Sequence, residues 1–245
     1  IQGVGHADFI QAPDGSWWTV FLAFRPQSDM HHLLGRETFL APVRWDKNAW
    51  PVINGDGSVS LEMDVPTLPQ QPFATKPART NFKDGKFGLE WVHVRNHHPE
   101  NYTFNSDKLC LKSTPVTLND FKDSPTLVCR RQEHINFTAT TSVQLQKASS
   151  GDEAGLTVYM SETSHYDLFI KQLSDKKQAL TLRYRLGELS HIEKEIVLPK
   201  GDIQLRVKGN RDFYSFEYAT NNKTFHELGR MNTRYLSTET AGGFT

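Results

Sequence analysis

Over residues 1–65 the apolar positions fall in short runs separated by turn residues. The runs are HADFI, WWTVFLAF, LLGRETFLAPVRW and WPVI, divided by the turn APDGS, the polar loop RPQSDMHH and the turn DKN. Alternation, β-branched and aromatic residues and an Asp-Gly turn predict antiparallel strands, about one four-stranded meander. From Val65 to Thr80 the sequence VPTLPQQPFATKPART carries four prolines. Proline donates to neither helix nor ladder, so 66–80 is predicted as a linker between two domains. Strand patterns return over 81–245, in LEWVHVR, KLCLK, TLVCRR, FTATTSVQL, AGLTVYMS, YDLFIKQL, ALTLRYRL, EIVL, IQLRVKG, DFYSFEYAT and TFHELG. Turn signals recur at sandwich spacing and helix signals are almost absent, so the chain is predicted all-β, its second domain a β-sandwich of jelly-roll type. Within DFYSFEYA, alternation sends Tyr214, Phe216 and Tyr218 to the core and Phe213, Ser215, Glu217 and Ala219 to the other face.

Charge narrows the partners. Lysine plus arginine equals aspartate plus glutamate, 28 against 28, so no net field draws nucleic acid or an anionic membrane surface. No apolar run approaches the ~20 residues of a transmembrane helix. No basic stretch with an apolar h-region precedes the first strand. Because the chain opens on Ile1 inside a strand pattern, it is expected to have lost its beginning, and localisation is left open. Cys110 and Cys129 could meet across a sheet, or be two buried free thiols. The sequons at Asn101, Asn136 and Asn222 would matter only in a eukaryotic secretory pathway.

Several residues suit chemistry. His6 stands between Gly5 and Ala7, where a backbone or ligand can come close, and imidazole is the commonest metal ligand among side chains; the alternative is a hydrogen-bonded core histidine. Arg36 follows Gly35 among apolar residues, so its guanidinium is predicted to point inward, to a polar ligand or a structural ion pair. Trp17, Trp18, Trp45 and Trp50 could stack on sugars or fill a core. Asp8 and Glu37 read as structural, and Asp14, Asp46 and Asp56 as turn formers, so no residue is nominated as catalytic. In CRRQEH, Arg130, Arg131 and His134 fit a strand-to-loop anchor better than a reader of acidic sugars. Asp152, Glu153 and Asp167 could assemble a calcium site, though their spacing follows no calcium loop. No isolated aromatic platform stands out, so a sandwich that shapes a neighbouring pocket is favoured over an independent carbohydrate-binding module.

Together, GxGHxxxxxxxDGxWWxxxxAxR, LGRETFLxPVxW and the closing WPV resemble the last blade of the five-bladed β-propeller of glycoside hydrolase family 43, the β-xylosidases and α-L-arabinofuranosidases. LEWVHVRN, CRRQEH, EAGLTVYM and AGGFT resemble the concanavalin-like sandwich that follows the propeller in the β-xylosidase branch. The resemblance implies an inverting hydrolase acting on β-xylosides or terminal arabinofuranosides of hemicellulose, with xylo-oligosaccharide or arabinoxylan fragments as partners. It makes His6 the metal-side residue at the propeller centre, where calcium would bind directly or through water, Arg36 a substrate-binding residue, and Phe244 a wall of the pocket. It further implies that the catalytic carboxylates come from earlier blades. A blade takes roughly 40–60 residues, so 1–65 holds one, and the rest of its own propeller is a required partner. The chain alone is then expected to be inactive and to hold no cofactor, with 81–245 lacking the sandwich's last strand. Ala49 stands where the family commonly has glycine before Trp-Pro, and homo-oligomer contacts are a further alternative.

Overall fold

A computed structural model describes residues 1–245 apart from 28, 76, 221–223, 244 and 245. The chain forms two compact units, Ile1–Ala78 and Arg79–Gly243. Their border falls inside the predicted linker 66–80, where no described residue joins a strand.

The first unit is the predicted meander: β1 (Gln2–Gln11), β2 (Trp17–Phe24), β3 (Glu37–Trp45) and β4 (Pro51–Ile53) form one antiparallel sheet in sequence order. Aspartates set its turns. Asp14 Oδ1 accepts from the Ser16 amide and hydroxyl at 2.9 and 2.6 Å. Asp46 Oδ1 accepts from the amides of Asn48 and Trp50 at 2.8 and 2.9 Å, and Asp56 repeats the Asp14 pattern with Ser58. Side-chain hydrogen bonds from serine, ahead of backbone ones, hold the Asp14 and Asp56 carboxyls below the usual range. One face buries Phe21, Ala23 and Ala41, with Ile1, Phe39, Ile53, Val59 and Met63 packed on them. The other face is apolar too: Trp18 is buried, Val20 and Leu22 are half-buried, and Ile10 and Leu40 are exposed. A sheet apolar on both faces is stable only with a layer on each.

In the second unit, residues 79–130 carry two short ribbons, β5 (Trp91–Val92) with β8 (Cys129–Arg130), and β6 (Tyr102–Asn105) with β7 (Lys108–Leu111). Beyond them come β9 (Phe137–Val143), β10 (Glu153–Ser161), β11 (Ser164–Gln172), β12 (Lys177–Leu186), β13 (Leu189–Pro199), β14 (Ile203–Gly209), β15 (Phe213–Ala219) and β16 (His226–Asn232). These make two antiparallel sheets, ordered β10-β11-β12-β13 and β16-β15-β14-β9. The sheets face each other through the Tyr166 ring, 6.3 Å from both Tyr214 and Phe216, and through the Tyr166 hydroxyl, which donates to Asn232 O at 2.8 Å. Leu168, Ile170, Leu180, Leu182, Ile203 and Leu205 complete the core. Tyr214 and Phe216 lie inside while Phe213 is exposed, as alternation predicts; Tyr218 is only half-buried, and Glu217 and Ala219, expected on the other face, are buried.

The predicted strands LEWVHVR and TLVCRR shrink to two-residue ladders, because side chains rather than backbone join these segments. His93 Nδ1 bonds Leu127 O at 3.1 Å, and Tyr102 Oη bonds both Leu127 O and Leu127 N at 3.0 Å. Arg95 donates to Asp120 O and Asp123 O, Ser124 Oγ donates to Val94 O, and His98 Nε2 meets Asp123 Oδ1 at 2.8 Å. His93 and His97 stack at 3.8 Å and 13°. Neither cysteine expectation holds in full: both thiols are free, but only Cys129 is partly covered, burial pushing it up to about 11, while Cys110 is exposed. Asn101 is buried, Asn136 is exposed, and Asn222 lies outside the described residues.

This histidine clasp should respond to pH. Burial, then proximity to His97, lowers His93 from 6.5 against the opposing Leu127 bond. The unfolded chain then binds more protons, so this contribution is complete above about pH 6.5 and is lost as pH falls through the lowered folded value. His98 has the opposite sign: its hydrogen bond to Asp123 raises it, and that contribution disappears as pH rises through the raised value. Amide exchange at Leu127, corrected for its intrinsic rate, is expected to accelerate between about pH 7 and pH 5, and His93→Gln should flatten that dependence. Equal acceleration in both proteins would leave His93 without the role.

Candidate functional site

β1 carries His6 at φ 55°, within the register shift between Gly5 and Asp8. A bulge of this kind turns a side chain out of the ladder's alternation, and His6 is exposed. Calcium takes six to eight oxygen ligands, whereas the described residues include no group of three or more His, Cys, Asp or Glu able to hold a metal. His6 offers one imidazole, so the described residues do not fit the ion by themselves, and no chemical step is drawn through it.

Arg36 sits one residue before β3, after Gly35 at φ 69°, and is exposed. The bidentate ion pair beside it joins Arg25 Nε and Nη2 to the two Glu37 oxygens at 2.8 and 2.7 Å. Glu37, the first residue of β3, pairs with Ala23 of β2, which brings its carboxylate to Arg25 just beyond that strand. His6 and Arg36 thus lie on β1 and at the entry to β3, strands separated by β2. Phe244 lies outside the described residues. Of the tryptophans, Trp18 is core, Trp17 packs edge-on to Trp45 at 5.4 Å, and Trp45 and Trp50 are exposed. Glu37 and the three turn aspartates are engaged in structure, and Asp8 is exposed on β1.

In the second unit the calcium reading of Asp152, Glu153 and Asp167 is corrected, because a cation already holds two of them. Arg183 donates to Asp167 Oδ2 through Nε and Nη2, and to Glu153 Oε2 through Nη1, all at 3.2 Å. Asp152 Oδ2 instead accepts from Ser149 N. Asp167 Oδ1 takes the Thr157 hydroxyl at 2.9 Å and lies 2.8 Å from His165 Nδ1, while His165 Nε2 lies 3.0 Å from Asn119 Oδ1. The guanidinium covers the Phe169 ring at 4.4 Å. Thr157, Asp167 and Arg183 are register partners across β10, β11 and β12, so the network occupies the face away from the core. His165 and Asp167 are 1% and 3% exposed, and β11 is thus buried on both faces. The strand pattern YDLFIKQL did not by itself reveal this. The available signal was His and Asp two apart in SHYDLFIKQ, which alternation places side by side. With both ring nitrogens engaged, His165 serves as a pin between Asn119 and the sheet. In CRRQEH, Arg130 lies over the ring of its ladder partner Trp91 at 5.8 Å, and Gln132 accepts from the Tyr214 hydroxyl at 2.9 Å.

Comparison with known proteins covers both units. Residues 79–245 match the β-xylosidase C-terminal concanavalin A-like domain, and residues 1–51 match glycosyl hydrolases family 43. A non-reducing end α-L-arabinofuranosidase of Bacteroides ovatus is 35% identical over 250 residues, covering 100% of this chain and 46% of that protein. A β-xylosidase of Bacillus subtilis is 25% identical over 268 residues, covering 100% and 49%. The solved structure of Bacteroides ovatus xyloglucan PUL GH43B superposes with a TM-score of 0.89 at 34% identity, over 99% of this chain and 48% of that one. The chain spans about half the length of the curated relatives it matches.

Proposed function

The chain belongs to glycoside hydrolase family 43, in the branch whose β-xylosidases carry a C-terminal concanavalin A-like domain, and from that premise we propose that it supplies the closing propeller blade and the sandwich of a longer inverting enzyme. That enzyme acts on β-xylosides or terminal arabinofuranosides of hemicellulose. The observation that carries this reading is the order of parts: a family 43 segment folded as a four-stranded sheet, then the concanavalin A-like domain, in one chain. The apolar second face of the first sheet agrees with it, since a blade in a ring is covered by a neighbour on each side. Single-step inversion needs one carboxylate to activate water and one carboxylic acid to protonate the leaving group, roughly 6.5–9.5 Å apart. In this reading those groups, and a third carboxylate that tunes the acid, stand on earlier blades. His6 would serve the metal side of the site, Arg36 would hold the non-reducing sugar, and Phe244 would wall the pocket.

The test compares this chain with the full-length product of its gene on aryl β-xyloside and aryl α-L-arabinofuranoside. Turnover of at least one substrate by the long product and none by the chain is expected. Turnover by the chain alone, or silence from the long product, would overturn the reading. In the active long product, Arg36→Ala is expected to lower kcat/KM by about 10–100-fold, the loss of one charged hydrogen bond to substrate. Unchanged kcat/KM would remove Arg36 from the site.

A further inference from the structure

Gln172 and Gln178 stand directly opposite each other at the ends of β11 and β12, and are 1% and 2% exposed. Alternation puts them on the core face, in line with Leu168 and Ile170 on one strand and Leu180 and Leu182 on the other. Each amide is anchored at its nitrogen. Gln172 Nε2 donates to Ser174 O, and Gln178 Nε2 donates to Gly201 O at 3.2 Å. These bonds fix the amide orientation, since turning either group over would set its oxygen against a carbonyl oxygen. The two Oε1 atoms are thereby committed as acceptors. Both are buried, and neither receives a hydrogen bond from a described group.

One buried acceptor without a donor is expensive in a folded protein, and two on adjacent strands call for a shared partner. Opposed residues of an antiparallel pair hold their Cβ atoms about 4.5–5.5 Å apart, a separation that lets two side-chain oxygens reach one small molecule. We propose that Gln172 and Gln178 bind a single internal water, which donates one hydrogen to each Oε1. The ligand chemistry selects water over a cation: both groups are neutral amides, whereas calcium draws on carboxylates among six to eight oxygens. The buried aliphatic side chains in line with the pair keep bulk solvent away, so the water exchanges slowly. It links the turn after β11 to the segment before β14, because the same two amides hold Ser174 O and Gly201 O.

A crystal structure of the whole chain that resolves ordered solvent gives the first reading. One water within about 2.7–3.2 Å of both Oε1 atoms is expected. A peak with five or more oxygens at about 2.3–2.6 Å would mean a cation and overturn the proposal, as would a site without density. Melting of Gln172→Leu, Gln178→Leu and the double variant gives a second, independent reading. Each single change should lower the midpoint of the second unit by about 2–6 °C by stranding the water on one partner, and the double should lose clearly less than the sum. Strictly additive losses would mean that the glutamines share nothing.

Discussion

Asp167→Ala is expected to destabilise the second unit by about 2–4 kcal/mol, lowering its melting midpoint by roughly 5–15 °C. The carboxylate receives the Thr157 hydroxyl, sits against His165, and takes two donors from Arg183. Removing it strands groups that differ in their access to water. Arg183 keeps Glu153 and is 28% exposed, so solvent absorbs part of its loss. Thr157 is half-buried and recovers part of its loss likewise, but the 1% exposed His165 has no such recourse. A buried partner deprived of its counterpart carries a full desolvation penalty, which is why deletion costs more than the net worth of the pair. Asp167→Asn should lose less, because the amide oxygen still accepts from Thr157 while the charge opposite Arg183 is gone. Denaturant unfolding of both variants checks the ordering; an alanine variant within about 0.5 kcal/mol of the parent would show that the network is not a structural centre.

How much of this arrangement the sequence displayed depended on whether local pattern or distant partners decided each element. The first meander was legible because Asp14, Asp46 and Asp56 each bond residues two to four positions on, a relation contained in the sequence itself. β14 was legible because one face is core and the other polar, which gives a clean period of two; β15 keeps that period only as far as Phe216, because Glu217 and Ala219 are buried as well. β13 hid its first half: as an edge strand it exposes SHIEKE almost throughout, so no contrast between faces marks it. EWVHVR has strand composition, yet His93 and Arg95 bond loop carbonyls far along the chain, and only two residues remain in a ladder. His6 and Arg36 could be placed on their strand and strand entry, but alternation did not foresee the bulge at His6 or the Arg25–Glu37 pair beside Arg36. The sugar and metal chemistry proposed for them depends on groups contributed by other blades, and one blade's pattern carries no record of those.

The second large effect should come from the smallest substitution, Gly155→Ala. In an ordinary strand this change gains about 0.5–1 kcal/mol, because glycine loses more freedom on folding. Gly155 lies opposite Phe169 in β11, and a Cβ there would stand 2.2 Å from Leu168 O, 2.5 Å from Phe169 Cα and 2.7 Å from Phe169 Cβ. None of these is the free end of a flexible side chain, so relief requires β10 to move relative to β11. Overpacking of this kind typically costs about 1–3 kcal/mol and here exceeds the opposing propensity gain, so a net loss of up to about 2.5 kcal/mol is expected. Gly201→Ala is the control, because its Cβ would meet no atom within 4 Å, and it should stay within about 0.5 kcal/mol of the parent. The consequence reaches further than the clash, since Thr157 lies two residues along β10 and must keep its 2.9 Å bond to Asp167. A shifted β10 weakens that bond, so in the double variant Gly155→Ala and Asp167→Ala should cost less than the sum of the singles. Additive losses would mean that the strain stays local to Phe169, and a stabilised Gly155→Ala would show that β10 yields without disturbing its partner.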